Sequence, residues 1–338
     1  MIDKIYRWGI IGCGKVTEVK SGPAYQKTAG FELHAVMRRD REKAKDYAHR
    51  HGVAKFYEQA EDLINDPEID AVYIATPPDS HAHYALKVAA AGKICCIEKP
   101  MASSFEECLR INKAFEEKGI PLFVAYYRRS LPRFAQVKAW LDAQEIGAVR
   151  HINWHLSKPA NYIDLSGEYN WRTDAKIATG GYFDDLASHG LNLFAYLLGP
   201  ISRADGCSVN QQGLYTARDS VVGNWVHDAE ITGSGSWNFG SWKREDDVAI
   251  YGEMGKITFS VFGEAPLVLE NEEGTKSLEI ENPENIQLFH VQNMRKHLVE
   301  NQMHPSTGKT AALTSWVMDA ILGKQDSSNN VETQSKII

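Results

Sequence analysis

Three polar side chains stand at spacings that could move a proton. Asp185 and His189 lie four residues apart in Asp184–Leu198, a stretch whose apolar positions recur at helical spacing. On a helix, residues i and i+4 share a face one turn apart. An imidazole so placed titrates near neutral pH and can give or take a proton, while the carboxylate orients a hydroxyl or tunes the ring. The pair is equally an ordinary helix feature, because acids suit a first turn. Lys99 is the third group. It follows the apolar run Ile94–Ile97 and Glu98, and Pro100 stiffens the chain behind it. A strand-end lysine partly withdrawn from water is useful for proton transfer or for polarising a carbonyl. Spacing alone also allows a lysine that snorkels to solvent. Histidine spacing does not suggest a metal. His151 and His155 share a strand face, but four strand residues span about 13 Å, and no H-E-x-x-H occurs.

A second chemistry is written in Gly12-Cys13-Gly14-Lys15-Val16-Thr17, which follows a predicted strand and precedes a predicted helix. The first glycine permits a tight turn. The second lets a pyrophosphate approach the backbone at a helix N-terminus, where free N–H groups and the dipole favour its charge. These residues are therefore expected to bind a dinucleotide, with Thr17 at the third fingerprint position slightly loosening helix–strand contact. The end of the second strand selects which dinucleotide. An acid there accepts a ribose 2′-hydroxyl, whereas a guanidinium fork suits a 2′-phosphate. This chain has Arg38 and Arg39 there, so NADP(H) is favoured and NAD(H) is allowed, with Asp40 as the alternative ribose partner. A further strand runs into Thr76-Pro77-Pro78-Asp79-Ser80-His81, a stiff loop from which Thr76, Pro77 and His81 could reach the cofactor, with His81 alternatively capping locally.

These residues need elements to carry them. Tyr6–Gly12, Phe31–Met37, Ala71–Ala75, Ile94–Ile97 and Leu122–Ala125 read as short buried strands, alternating with helical patterns at Arg41–His51, Ser80–Ala91 and Ser103–Lys118. That alternation predicts an α/β, doubly wound parallel sheet over residues 1–124. From 125 to 323 the texture changes to an α+β domain with a large open, mostly antiparallel sheet. It has helices at Pro132–Gln144, Asp184–Leu198, Ile286–Glu300 and Thr310–Leu322. Its strand-like runs are Val149–Ser157, Asp219–His227, Glu230–Phe239, Val248–Tyr251 and Lys256–Phe262. Residues 324–338 form a polar tail expected to fray.

Composition narrows the partners. Lys+Arg number 37 against 44 Asp+Glu, a net charge of −7, so no basic excess exists to track a nucleic-acid backbone. No 18-residue apolar run and no signal-peptide pattern occurs, so no membrane role is expected. Five scattered cysteines without CxxC spacing suggest a reduced, cytoplasmic protein. Trp225, Trp237, Phe239 and Trp242 are expected to cover the large sheet, against helices or against a second subunit in a homodimer or homotetramer.

Taken together, the glycine turn, the TPP-x-x-H loop, AAAGK before the fifth strand, Glu98-Lys99-Pro100, Trp171-Arg172 and Gly180-Gly181-x3-Asp185-x3-His189 resemble the Gfo/Idh/MocA family. The likeness runs from about residue 5 to 323 in the family's order. It implies a Rossmann domain, a second domain with an open sheet often used for oligomer contacts, and NAD(P)-dependent oxidation or reduction of a sugar, cyclitol or related compound. Carried over residue by residue, it implies Lys99, His189 and Asp185 as the catalytic set. It also implies cofactor contacts from Gly12, Gly14, Lys15, Val16, Arg38, Arg39, Thr76, Pro77, His81, Glu98 and Lys99. Substrate contacts are expected from Tyr126, Arg128, Trp171, Arg172, Asp185 and His189, with Trp154 and Tyr162 nearby, while Gly180-Gly181 lets backbone approach the ligand. The stretch from Tyr126 to Phe134 resembles the branch near 1,5-anhydro-D-fructose reductase. Two departures stand out: Thr17 at the third glycine position, and basic residues where NAD-using members carry an acid. Two rival readings share this scaffold. One is a non-catalytic dinucleotide sensor, which would not need the proton-transfer set. The other is a glycosidase that holds NAD for transient oxidation.

Overall fold

In the computed structural model, which describes residues 4–324, the short β-branched and aromatic runs become a six-stranded parallel sheet. Its strands are β1 (Tyr6–Ile11), β2 (Phe31–Met37), β3 (Lys55–Tyr57), β4 (Ala71–Ile74), β5 (Ile94–Ile97) and β6 (Leu122–Val124). Their order is β3-β2-β1-β4-β5-β6, so the winding reverses between β1 and β4. Such a reversal opens a crevice beyond the carboxyl ends of those strands. The crossover helices are α1 (Gly22–Lys27), α2 (Arg41–His51), α3 (Ala60–Asn65), α4 (His81–Ala90) and α5 (Phe105–Glu116). β1, β4 and β5 are buried on both faces, as parallel strands covered by helices must be. Asp40 caps α2 and Ser104 caps α5, each accepting from a backbone N–H one turn on.

The remaining elements begin with α6 (Pro132–Asp142), β7 (Val149–Ser157), α7 (Tyr162–Ser166) and α8 (Tyr182–Leu198). Seven strands follow: β8 (Ile201–Val209), β9 (Ser220–His227), β10 (Thr232–Asn238), β11 (Glu245–Gly252), β12 (Gly255–Phe259), β13 (Leu267–Asn271) and β14 (Gly274–Leu278). With β7 they form one sheet, β14-β13-β12-β11-β7-β10-β9-β8, in which only the β7–β10 pair is parallel. One face lies under α8. Phe183 meets Trp237 at 4.9 Å between ring centroids, and Phe194 meets Trp154 at 5.4 Å. Trp225, Trp237 and Phe239 are therefore buried by the chain's own helix, whereas Trp242 is 83% exposed. Trp154, expected on the substrate side, is a core residue whose indole N–H donates to Asp246. On the opposite face His151 and His155 are hydrogen-bonded to Thr232 and Ser236.

Helices α9 (Leu288–Glu300) and α10 (Gly308–Ile321) complete the described chain. The molecule divides into two compact units. Unit 1 runs to Leu131 and takes in Pro283–Ala312; unit 2 comprises Pro132–Asn282 and the described residues from Leu313 to Lys324. The sequence reading drew one boundary at 124/125 and gave the later helices to the second domain. The structure instead returns Pro283–Ala312 to the parallel sheet, where Val291 and Met294 of α9 join the core formed by Trp8, Tyr25 and Phe123. The expected fraying segment beyond 324 lies outside the described residues. No helix among the described residues is long and apolar enough to cross a membrane.

Candidate active site

In unit 1 the glycine turn closes β1 against the ends of its neighbours. The Gly12 and Cys13 N–H groups both donate to Met37 O, at 2.9 and 3.2 Å. Gly12 has φ +90°, and a Cβ there would lie 2.7 Å from Thr76 Cγ2 and 3.1 Å from the Ala75 carbonyl. No other residue fits. Gly14 differs, since a Cβ on it would meet only Gly12 O at 3.8 Å. The chain's own packing does not demand that glycine, which is the position a pyrophosphate approaches in a dinucleotide-binding turn. Lys15 is exposed and Val16 half-buried at the start of the helical run. Thr17 does not loosen the turn. It is fully buried, its hydroxyl donating to Gly14 O and accepting from Gly14 N–H, both at 2.9 Å. The helix accommodates it by a wider π-turn over Thr17–Ser21.

Beyond β2, the Arg38 guanidinium donates to Cys13 O at 3.2 Å and so lies along the glycine turn. Arg39 is exposed beside it. Asp40 is engaged elsewhere, accepting from Lys43 N–H at 3.2 Å and pairing with Lys43 Nζ at 3.0 Å, contacts that hold its carboxyl below the usual range. Arg38, Arg39, Gly12, Gly14, Thr76 and Pro77 line a cleft of about 310 Å³. Tyr84 of α4 also lines it, a residue the sequence reading did not single out. A glycine turn opening onto the cleft and a guanidinium at the β2 end fit a dinucleotide.

His81 and Glu98, expected to contact the cofactor, are both hydrogen-bonded within the chain. His81 is fully buried, with Nδ1 3.0 Å from Pro100 O and Nε2 2.8 Å from Thr76 O. Burial pushes its pKa down. It ties the Thr76 loop to the Lys99–Pro100 loop rather than presenting a ring to the cleft. Glu98 is also buried. Its Oε1 accepts from Tyr73 Oη at 2.6 Å and Gln287 Nε2 at 2.7 Å, and its Oε2 accepts from Lys99 N–H at 3.0 Å. Glu98 thus anchors the backbone of the lysine that follows it. Lys99 is half-buried, and the Lys99–Pro100 peptide bond is cis. Tyr126 and Arg128 are both buried, and the Arg128 guanidinium lies 5.3 Å from the Tyr127 ring centroid.

Unit 2 carries the second group of residues. Asp185 and His189 sit on α8 as the spacing predicted. Asp185 Oδ2 accepts from Arg172 Nε at 2.9 Å, and the same guanidinium stacks 4.3 Å from the Trp171 ring centroid. This joins Trp171, Arg172 and Asp185 into one chain of contacts. His189 is buried, edge-on to Phe262 at 5.7 Å. The glycines before α8 are required by the chain's own packing. Gly181 has φ +62°, and its Cβ would lie 2.6 Å from Arg218 O; a Cβ on Gly180 would lie 2.6 Å from Asp184 Oδ1. Asp184 turns back to accept from Gly180 N–H at 2.8 Å, and burial raises its pKa to about 6. Tyr162 is 77% exposed.

Two further residues were missed. Gln287 gave no local signal, because its link to Glu98 spans 189 positions. Lys158 did have one. Ser157-Lys158-Pro159 at the end of β7 repeats the Lys-Pro arrangement at the end of β5. Its Nζ lies 3.5 Å from the Tyr182 ring centroid. Tyr182 Oη in turn donates to Asp164 Oδ1 at 2.7 Å and accepts from Asn161 and Asn170.

Comparison with known proteins agrees with this architecture. Residues 6–126 match the model of an oxidoreductase family with an NAD-binding Rossmann fold, and residues 134–258 match a GFO/IDH/MocA C-terminal domain. Oxidoreductase P35 of Formosa agariphila is 37% identical over 320 residues, covering 94% of this chain and 98% of that protein. The 1,5-anhydro-D-fructose reductase of Ensifer adhaerens is 29% identical over 194 residues, 57% of this chain and 56% of that one. A solved structure of levoglucosan dehydrogenase in complex with NADH superposes with a TM-score of 0.85 at 22% identity, over 98% of this chain and 97% of that one, a likeness of fold.

Proposed function

The chain belongs to the GFO/IDH/MocA family of oxidoreductases, and from that premise we propose that it passes hydride between NADP(H) and a secondary alcohol or ketone of a sugar, cyclitol or related compound. NAD(H) is the weaker cofactor in this reading. The observation that carries it is the anchored lysine: a buried carboxylate holds the Lys99 backbone immediately past a strand of the dinucleotide-binding sheet. Asp40 engaged as a helix cap, with Arg38 laid along the glycine turn, supports the preference for a 2′-phosphate. Gly12, Gly14, Lys15, Val16, Thr76 and Pro77 complete the cradle, with His81 and Glu98 acting through the loops they hold. The relatives named for 1,5-anhydro-D-fructose and levoglucosan support a sugar-like substrate.

When bound, the nicotinamide supplies or takes the hydride at the carbon of the reacting alcohol or ketone. In reduction, the carbonyl π pair moves onto oxygen, and Lys99 or His189 delivers a proton to it, leaving the alcohol. The other donor stabilises the developing negative charge. Asp185, fixed by Arg172, keeps the imidazole and the substrate hydroxyl in register. Trp171, Arg172, Tyr126 and Arg128 are assigned to the sugar. We place the protein in the cytoplasm, its five cysteines being free of disulfides, and as a homodimer or homotetramer. The test is parallel oxidation of NADPH and NADH against a panel of keto-sugars, inosose and anhydrofructose. Turnover with kcat/KM at least tenfold higher for NADPH is expected, and Arg38→Ala should remove most of that margin. Equal use of the two cofactors would overturn the NADP(H) assignment, and no turnover with either would overturn the enzyme reading.

A further inference from the structure

Lys158 is a half-buried cation just past the end of β7. Its Nζ rests on the faces of Tyr182, at 3.5 Å, and Phe239, at 5.7 Å from the centroid, and both rings are buried. An ammonium has three N–H donors, and a ring face engages it from one side only. Among the described residues no oxygen accepts a hydrogen bond from Lys158 Nζ. The two carboxylates whose charge reaches it are already engaged. Asp164 accepts from Tyr182 Oη and takes part in the α7 capping box, and Asp185 accepts from Arg172. Arg172 and Arg244 add positive charge to the same surroundings. Burial holds the Lys158 ammonium below its usual pKa, the mark of a charge withdrawn from water without full compensation.

We propose that the compensating anion is brought by the substrate: Lys158 binds the carboxylate of a sugar acid, of the uronic or aldonic type. The proposal rests on the oxidoreductase reading above and narrows its substrate class. The position suits that role, because Tyr182, on which Lys158 lies, is the first residue of α8 and one turn ahead of Asp185. The ligand chemistry follows from the donor set. One ammonium on a ring face offers a single charge, which matches a monoanionic carboxylate. A phosphate monoester carries nearly two charges and is held by several donors at once.

The test compares matched pairs on the cofactor-loaded protein: D-glucuronate with D-glucose, D-galacturonate with D-galactose, D-gluconate with D-glucitol, and D-glucose 6-phosphate as a separate arm. Ligand-induced Tm shifts report binding without turnover, and kcat/KM reports it where turnover occurs. At least one acid should be preferred tenfold or more over its neutral partner. Lys158→Met should bring that ratio close to one, and Lys158→Arg should restore most of it. The ligand-free Met variant should be at least as thermostable as the parent, since it no longer buries an uncompensated charge. No acid preferred in any pair, a preference that survives Lys158→Met, or a phosphate preferred over every carboxylate would each overturn the proposal. So would a ligand-free Met variant melting several degrees lower, which would mean that the ammonium is satisfied within the chain. Turnover of neutral sugars without acid preference sinks this inference alone, whereas absence of any nicotinamide-dependent turnover sinks the reading beneath it.

Discussion

Removing the Glu98 carboxylate should unfasten the reactive loop at a cost that can be read from its partners. Glu98 is 8% exposed and accepts from Tyr73 Oη, Gln287 Nε2 and Lys99 N–H at 2.6, 2.7 and 3.0 Å. Burial drives the Tyr73 pKa well above its ordinary value, so that hydroxyl remains a donor at any working pH. Glu98→Ala therefore leaves three donors facing a carboxyl-sized void. Each stranded donor costs about 1–3 kcal/mol, so the sum is roughly 3–9 kcal/mol, a large share of a typical folding free energy. Glu98→Gln keeps the shape. Its amide oxygen can serve Lys99 N–H, the Tyr73 hydroxyl can rotate to accept, and the Gln287 amide can flip to present Oε1. The cost should then be about 1–2 kcal/mol. Urea unfolding of the three proteins measures this ordering, and kcat should fall about tenfold or more for Ala with a smaller change in the KM for NADPH. An Ala variant within about 1 kcal/mol of the parent, or a Gln variant as damaged as Ala, would refute the reasoning.

Three further outcomes follow from single positions. Gly12→Ala combines a positive φ with a 2.7 Å approach to Thr76, and should lower the Tm of the cofactor-free protein by several degrees. Gly14→Ala, with only Gly12 O near its Cβ, should leave that Tm intact yet weaken NADPH binding at least tenfold by fluorescence titration; equal behaviour of the two variants would contradict the cradle. Asp184, whose pKa is raised from 3.8 to about 6, contributes stability that is present below pH 3.8 and lost as pH rises through 6. Asp184→Asn can keep the Gly180 bond through its amide oxygen. It should therefore be more stable than the parent at pH 8, by roughly 2 kcal/mol, with the gain shrinking toward zero near pH 4 in paired thermal melts.

The legible parts of the fold were those with strong local punctuation. β2, β5, α2 and β7 begin and end where their Gly, Pro, Asp and charged neighbours indicated. β3 and β14 escaped because three half-buried residues, or five largely exposed ones, carry no period to read. The glycine turn was legible as chemistry, but the reason Thr17 serves at the third position was not, since it depends on a π-turn and a hydroxyl bridge to Gly14. His81 and Glu98 stand in the expected loops, and their hydrogen bonds within the chain were not legible. Sequence shows that a polar side chain borders a strand end, but not whether tertiary contacts have already consumed its hydrogen bonds. Gln287 illustrates the same limit from the other side, because only the return of Pro283–Ala312 to unit 1 brings it to Glu98. The Asp185–His189 face and the Trp171-Arg172 dipeptide were recognised from a family pattern. The ion pair that joins Arg172 to Asp185 explains why those two motifs belong together.

Lys99 carries the central claim, and single-turnover kinetics of Lys99→Met tests it most directly. With NADPH and a keto-sugar that the parent reduces, the account predicts a cofactor Kd within about threefold of the parent and hydride transfer slower by about 10²–10⁴-fold. A Lys99→Met protein that binds NADPH normally and reduces the sugar at the parental rate would contradict it.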